Sequence, residues 1–339
     1  MSWLAYTLLL FGLSWAGVGI FRSYAEAKGF IDKPNERSSH IAVTARGGGI
    51  VFTNLWLLLL GALTYLGYLK MFYLPIFLPA LLIMLVGFWD DKKGLSATTR
   101  LLCQVLAAGI SLYFIDMPPI EWVPGVVLPG WAQVVGLVLT IVWMTNLVNF
   151  ADGTDGLAAT GAIFVFGVGG YLLYISQAFG LALLAYGMVA LLAGFLVWNW
   201  PCASIFMGDT GSSFLGFIIA LFALVSYKWF HIPLETWLLL SALFWFDTTL
   251  TILRRLMHKE RIWEAHSKHA YQRLAQYGWS HLQVLLGSIT VNFFLAGLAL
   301  WGYWEPELNH ILLTLASCLL FVLYVLIEIA KPMYKTWHI

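Results

Sequence analysis

The chain has 339 residues, 61% hydrophobic and only 10% charged, with 17 tryptophans and a net charge of +1. Soluble domains carry about 25% charged residues, so this composition excludes an ordinary water-soluble domain and points to an all-α polytopic membrane protein. The net charge by itself says little about partners beyond membrane lipids, and no nucleic-acid partner is expected.

A bilayer span needs about 20 apolar residues. Eleven stretches meet that measure, at about 3–21, 48–68, 72–89, 101–115, 131–150, 157–176, 180–198, 213–230, 234–255, 282–302 and 310–330. The first lacks a basic leading segment and a small-residue cleavage site, so it reads as a retained span and not a signal peptide. The fourth is short and carries Gln104 and Gly109. Cys103, Cys202 and Cys318 lie in or beside apolar runs without paired spacing and read as small core hydrophobes. No internal repeat divides the chain, so residues 1–339 read as one integral membrane domain.

Lysine and arginine orient such a chain, because they collect in cytoplasmic loops. With the N-terminus periplasmic and the C-terminus cytoplasmic, sixteen of the 18 basic residues fall inside. Lys33, Arg37, Lys92, Lys93, Arg254, Arg255 and Lys335 are among them; Lys70 and Lys228 fall outside. The same threading puts every polar cluster on the cytoplasmic side, in loops at about 22–47, 90–100, 150–156, 199–212 and 256–281. A transporter would place its key polar groups near the midplane, often in repeated halves. Five clusters on one side read instead as an active site at the cytoplasmic interface.

The clusters run in order. Asp32-Lys-Pro-Asn35 and its continuation to Arg37 and His40 lead to Arg46-Gly-Gly-Gly49, where the glycines let a helix start close to its neighbours. Asp90-Asp91 ends the third span. Asn146, Asn149, Asp152 and Asp155 recur at every third residue, keeping them on one drifting helical face before Gly153 and Gly156 loosen the backbone. An acid at mid-bilayer costs roughly 2.5–3.5 kcal/mol, so acids at a membrane edge are a functional signal. Phe206-Met-Gly-Asp209-Thr-Gly211-Ser212 precedes an apolar helix, whose N-terminal N–H groups suit an anion. The last cluster is His266-Ser-Lys-His269, with Arg273 and His281 following.

Carboxylate and amide oxygens from four places suit a hard cation, and the interleaved basic residues suit phosphate. Together they read as metal-assisted handling of a diphosphate. Blander readings stand beside each piece. Asp90-Asp91 with Lys92-Lys93 also fits a solvated membrane-edge turn, and Gly-Asp-Thr-Gly-Ser fits a plain helix cap. His266 and His269 fit a zinc site only if a third ligand joins them. Asp247 is as compatible with an ion pair to Arg254 or Arg255 as with catalysis.

The order and wording of these clusters resemble the polyprenyl-phosphate N-acetylhexosamine-1-phosphate transferases, from about Asp32 to His281. The resemblance implies ten or eleven spans, a cytoplasmic site and Mg²⁺, with Mn²⁺ as a substitute. It implies attack by undecaprenyl phosphate on the β-phosphorus of a UDP-N-acetylhexosamine, releasing UMP. Carried over, Asp209 is the principal metal ligand and Asn149 a second. Asp90, with Asp91 beside it, orients or deprotonates the lipid phosphate. Asn146, Asp152, Asp155 and Phe206 form the nucleotide pocket. His266, His269 and Arg100 hold phosphates or select the sugar.

Two departures matter. The muramoyl-pentapeptide branch usually carries a lysine where this chain has Gly94. It also has adjacent histidines where this chain has His266-Ser-Lys-His269. That pattern is more similar to the branch that starts O-antigen. Single displacement is the expectation, with an aspartyl-phosphate route open. The rivals are a lipid-linked-sugar flippase and a non-catalytic scaffold. Which N-acetylhexosamine is used, and whether the chain forms a homodimer, stay open at this level.

Overall fold

The structure is a computed structural model that describes residues 2–33, 43–123, 125–261 and 266–334. Asn35, Arg37, His40 and Lys335 lie outside the described residues. The helices are α1 (Trp3–Lys28), α2 (Gly49–Tyr65), α3 (Leu74–Phe77), α4 (Ala80–Lys93), α5 (Ala97–Ile115), α6 (Gly130–Ala151) and α7 (Leu157–Ile175). They continue as α8 (Phe179–Asn199), α9 (Gly208–Phe230), α10 (Leu234–Leu240), α11 (Ala242–Met257), α12 (Ala270–Tyr277), α13 (His281–Trp304) and α14 (Asn309–Ala330). Two short strands, β1 (Ile31–Asp32) and β2 (Thr44–Ala45), pair antiparallel beside the start of α2.

All eleven expected stretches fall on helices, but the span count is lower. Among the described residues nine helical segments are long and apolar enough to cross a bilayer. The stretch at 234–255 is broken: α10 and α11 meet at 78° around Ser241, giving at most a tenth span. Helix α2 has 17 residues, about 25 Å at 1.5 Å per residue, against a hydrocarbon core of about 30 Å. Hydropathy registers apolar length but not a bend, so the sequence overcounts here. The fourth stretch, despite Gln104, is a continuous 19-residue helix begun by Ser96, whose hydroxyl accepts from Thr99 N at 3.1 Å.

Helix α9 is the axis, almost wholly buried and packed against α2, α4, α6 and α7. Lipid offers helices little hydrophobic drive to associate, so close packing through small residues and interhelical hydrogen bonds carries the assembly. A Cβ on Gly49 would meet Gly211 Cα at 2.5 Å, one on Gly87 would meet Thr210 Cα at 2.6 Å, and one on Gly216 would meet Met144 O at 2.4 Å. Ser14 donates to Leu191 O at 2.6 Å and Ser111 to Ile76 O at 2.8 Å. These contacts bring the last turns of α4 and α6 against the first turn of α9.

The cysteines are not core residues: Cys202 and Cys318 are exposed and Cys103 is half-buried. In a membrane protein an apolar run has an outer face toward lipid as well as an inner one, so apolar context alone does not put a side chain in the core.

Candidate active site

Asp209 sits in the first turn of α9, between two arginines. Arg46 reaches Asp209 Oδ1 with Nη2 and Asp91 Oδ1 with Nε, both at 2.9 Å. Arg100 reaches Asp209 Oδ2 at 3.1 Å and Asp90 Oδ2 at 2.6 Å through Nη1. Each arginine thus ties Asp209 to one of the paired aspartates. About a third of each arginine side chain stays exposed. Burial opposes the charge on Arg46, but Asp91, Asp209 and Asp32 more than offset it and hold the guanidinium above its usual range.

Asp91 does something the sequence does not announce. Its Oδ1 accepts from Asp209 N at 2.9 Å, and its Oδ2 accepts from Thr210 N at 3.0 Å and Thr210 Oγ1 at 2.7 Å. The N-terminus of α9 does meet an anion, and that anion is the Asp91 carboxylate from another helix. Gly208, at φ 75°, makes room for it; a Cβ there would lie 2.6 Å from Asp91 Oδ2. The neighbouring Asp90 is held by Arg100 and by the N–H of Leu95.

Beside this clamp opens a polar pocket of about 210 Å³. Asp209, Arg46, Asn149, Ser212 and Asp32 line one part; Asp152, Thr154, Asp155, Asn199, Phe206, Gln272 and His281 line the rest. Asn149 Nδ2 donates to Ser212 Oγ at 2.9 Å, and Ser212 donates to Gly208 O at 2.9 Å. Asn149 Oδ1 accepts no hydrogen bond among the described residues. Burial first, and then the field of Asp209, push the Asp152 carboxyl well above the usual carboxylate range, with Arg46 opposing. Asp155 Oδ2 accepts from Ala203 N and faces His281 Nδ1, both at 3.0 Å. Asn199 bonds Gly156 N at 3.0 Å and Ile205 O at 2.9 Å, folding the 199–206 segment onto the Asp/Gly loop.

Sequence reasoning assigned no role to Arg46, Asn199, Gln272 or Thr154. Arg46 stood in a motif already singled out, while a lone Gln or Thr on a short helix or loop carries no sequence signal. Of the expected residues, Asp90, Asp91, Arg100, Asn149, Asp152, Asp155, Phe206 and Asp209 gather at the clamp and pocket. Three stand apart. Asn146 donates to Gln104 Oε1 and Val142 O, both at 2.7 Å, in an amide pair between α5 and α6. His269 is the buried N-cap residue of α12, its Nδ1 3.6 Å from Asp247 Oδ2 and its ring stacked on Tyr271. The His266 ring lies 4.8 Å from that of His269, and burial lowers its pKa to about 3. Neither histidine lines the polar pocket.

Asp247 pairs with neither Arg254 nor Arg255 in the bonds resolved here. It accepts from Ala270 N at 2.9 Å and so anchors α12, while Arg254 holds Glu328 and Arg255 holds Glu260. Helix α12 is a partition. Gln272 faces the polar pocket, whereas Tyr271, Leu274 and Tyr277 face an apolar cavity of about 430 Å³ lined also by α7, α11, α13 and α14. Tyr271 Oη donates to Phe150 O at 2.7 Å, and a Cβ on Gly153 would strike Tyr271 Oη at 2.4 Å.

No group of three His, Cys, Asp or Glu side chains forms a metal cage among the described residues. The donor chemistry still fits a hard cation: Asp209 and Asn149 both line the pocket and carry oxygen atoms of the kind such a cation takes. Mg²⁺ typically takes one or two protein oxygens and completes its shell with water and phosphate.

The family model of glycosyl transferase family 4 matches residues 73–227, which hold the paired aspartates, the Asn/Asp stretch and Asp209. A probable undecaprenyl-phosphate N-acetylglucosaminyl 1-phosphate transferase of Bacillus subtilis (strain 168) is 32% identical over 285 residues, 78% of this chain and 75% of that protein. A phospho-N-acetylmuramoyl-pentapeptide-transferase of Bacillus anthracis is 30% identical over 239 residues, 65% of this chain and 71% of that protein. One of Bacillus licheniformis is 31% identical over 235 residues, covering 64% and 70%. The chain belongs to glycosyl transferase family 4.

Proposed function

We propose that the protein transfers an N-acetylhexosamine 1-phosphate from a UDP-sugar to undecaprenyl phosphate, releasing UMP and starting assembly of an envelope polysaccharide. The observation that carries this reading is the double arginine clamp on Asp209 at the mouth of a polar pocket, with an apolar cavity behind α12. One compartment suits a nucleotide diphosphate; the other suits a polyprenyl chain. The sixteen-to-two division of basic residues supports a cytoplasmic site with the N-terminus periplasmic.

Asp209 and Asn149 would hold Mg²⁺, which when bound neutralises diphosphate charge and polarises the β-phosphorus. Arg46 and Arg100 add fixed positive charge where two anions must meet. Arg100, shared between Asp90 and Asp209, places Asp90 at the point where a lipid phosphate would enter. A phosphate oxygen of the lipid attacks the β-phosphorus, and the bond from that phosphorus to the bridging oxygen breaks. UMP departs with that oxygen and its electron pair. Holding both reactants in line supplies much of the rate.

The donor branch is supported by Gly94. It closes α4 at φ 68°, a backbone conformation that a lysine would adopt only under strain. We infer an O-antigen-type donor over a muramoyl-pentapeptide. The test is UMP release by purified protein in detergent with undecaprenyl phosphate, Mg²⁺ and a panel of UDP-sugars that includes the pentapeptide donor. Metal-dependent UMP from one N-acetylhexosamine, lost on chelation, supports the reading and identifies the sugar. Folded protein that releases no UMP from any donor sinks it in favour of a flippase.

A further inference from the structure

Gln272 lines the polar pocket and carries a donor that the described residues leave unused. It is 8% exposed, and its Oε1 accepts from His269 N at 3.2 Å, closing the capping box of α12. That bond fixes which end of the amide is oxygen. The Nε2 end therefore points away from the cap, in a residue that lines the pocket, and it donates to none of the described residues. A donor that faces the pocket without a protein partner among the described residues can meet a ligand oxygen.

The chemistry narrows that ligand group. The charged side chains of the pocket oppose phosphate and metal. A neutral amide N–H instead reads direction, and suits a carbonyl or hydroxyl oxygen. Resting on the transferase reading, the donor has two neutral ends, base and sugar. In-line displacement puts the lipid opposite the departing UMP, while the sugar stays on the β-phosphorus. Gln272 lies on α12, the wall shared with the apolar cavity. A group on that wall meets the sugar, and the base falls toward Asn199 and Phe206. We propose that Gln272 is a specificity-determining residue whose Nε2 donates to the acetamido carbonyl or a ring hydroxyl of the hexosamine.

Two variants separate this role from capping. Gln272→Glu keeps an acceptor for His269 N and removes the donor; Gln272→Ala removes both. Both are assayed for kcat/KM with UDP-N-acetylglucosamine, UDP-N-acetylgalactosamine and UDP-glucose. These donors carry equal charge, so the added carboxylate of the Glu variant cancels in their ratios. The expected result is that the wild-type preference shrinks about tenfold in both variants, a hydrogen bond's worth. UMP inhibition of Gln272→Ala should change less than about twofold. A Glu variant with wild-type ratios beside a damaged Ala variant would show a capping role and overturn the proposal. So would UMP inhibition weakening while the ratios hold, which marks a base reader, or a wild type with no preference among donors. A wild type that releases no UMP fails earlier and overturns the transferase reading together with this inference.

Discussion

Among the described residues a carboxylate lies between two arginines at two places, and the two differ in ways that matter for function. Asp209 lies between Arg46 and Arg100. Glu328 of α14 lies between Arg254 of α11 and Arg273 of α12. At the first site the arginines are 36% and 35% exposed, and each is shared with a second aspartate. Three carboxylates thus face two guanidiniums, with Asp152 close by, so the site is short of positive charge and open to a pocket. At the second site the arginines are 18% and 2% exposed, and Tyr324 packs against both. Glu328 is also bonded to Met333 N, so its oxygens are filled by the protein. The same motif serves binding where charge is left over and structure where it is not.

The largest expected effect breaks the symmetry at once. Asp209→Asn should lower UMP release on the order of 10³-fold, with the melting temperature changed by a few degrees at most. Comparable turnover in that variant would remove Asp209 from the chemistry. Glu328→Gln should do the reverse. Buried Arg273 and half-buried Arg254 lose a charged partner at a cost of about 3–5 kcal/mol, read as a lower denaturation midpoint, while turnover per folded molecule stays near wild type. Arg46→Lys is expected to cost about 10–100-fold in kcat/KM, because an ammonium cannot bridge Asp91 and Asp209 as a planar fork does. Arg254→Lys should leave kcat/KM within about threefold; a loss equal to that of Arg46→Lys would erase the distinction between the clamps.

The smallest effect concerns pH. His266, in the loop next to the structural clamp, takes a proton at 6.5 when free but only at about 3 in the folded protein. Between those values the unfolded chain binds more protons, so stability falls as pH drops from 6.5 toward 3. Thermal melts across that range should show the loss, and His266→Gln should flatten it. Glu260, whose carboxyl is held near 2 against burial by Lys268 and Arg255, adds its own loss below about 4.5.

The sequence by itself determined a great deal. Hydropathy located the apolar helices, because a span is a local matter of length and composition. The polar clusters at the helix ends marked the candidate site, since acids at a membrane edge are too costly to be scattered without cause. Tertiary structure decided the roles within that site. Asp90 and Asp91 are adjacent in sequence, yet one is held by Arg100 and the other caps α9, because successive helical residues point in different directions. Asn146 and Asn149 share a motif, but only Asn149 meets α9; Asn146 is taken by Gln104. Asp247 anchors α12 while its expected arginine partners find Glu328 and Glu260. Gln272 and Thr154 became visible only as groups lining the pocket. A side chain's partner is set by the distance between helices, and that distance depends on where glycines such as Gly49, Gly87 and Gly211 let backbones touch.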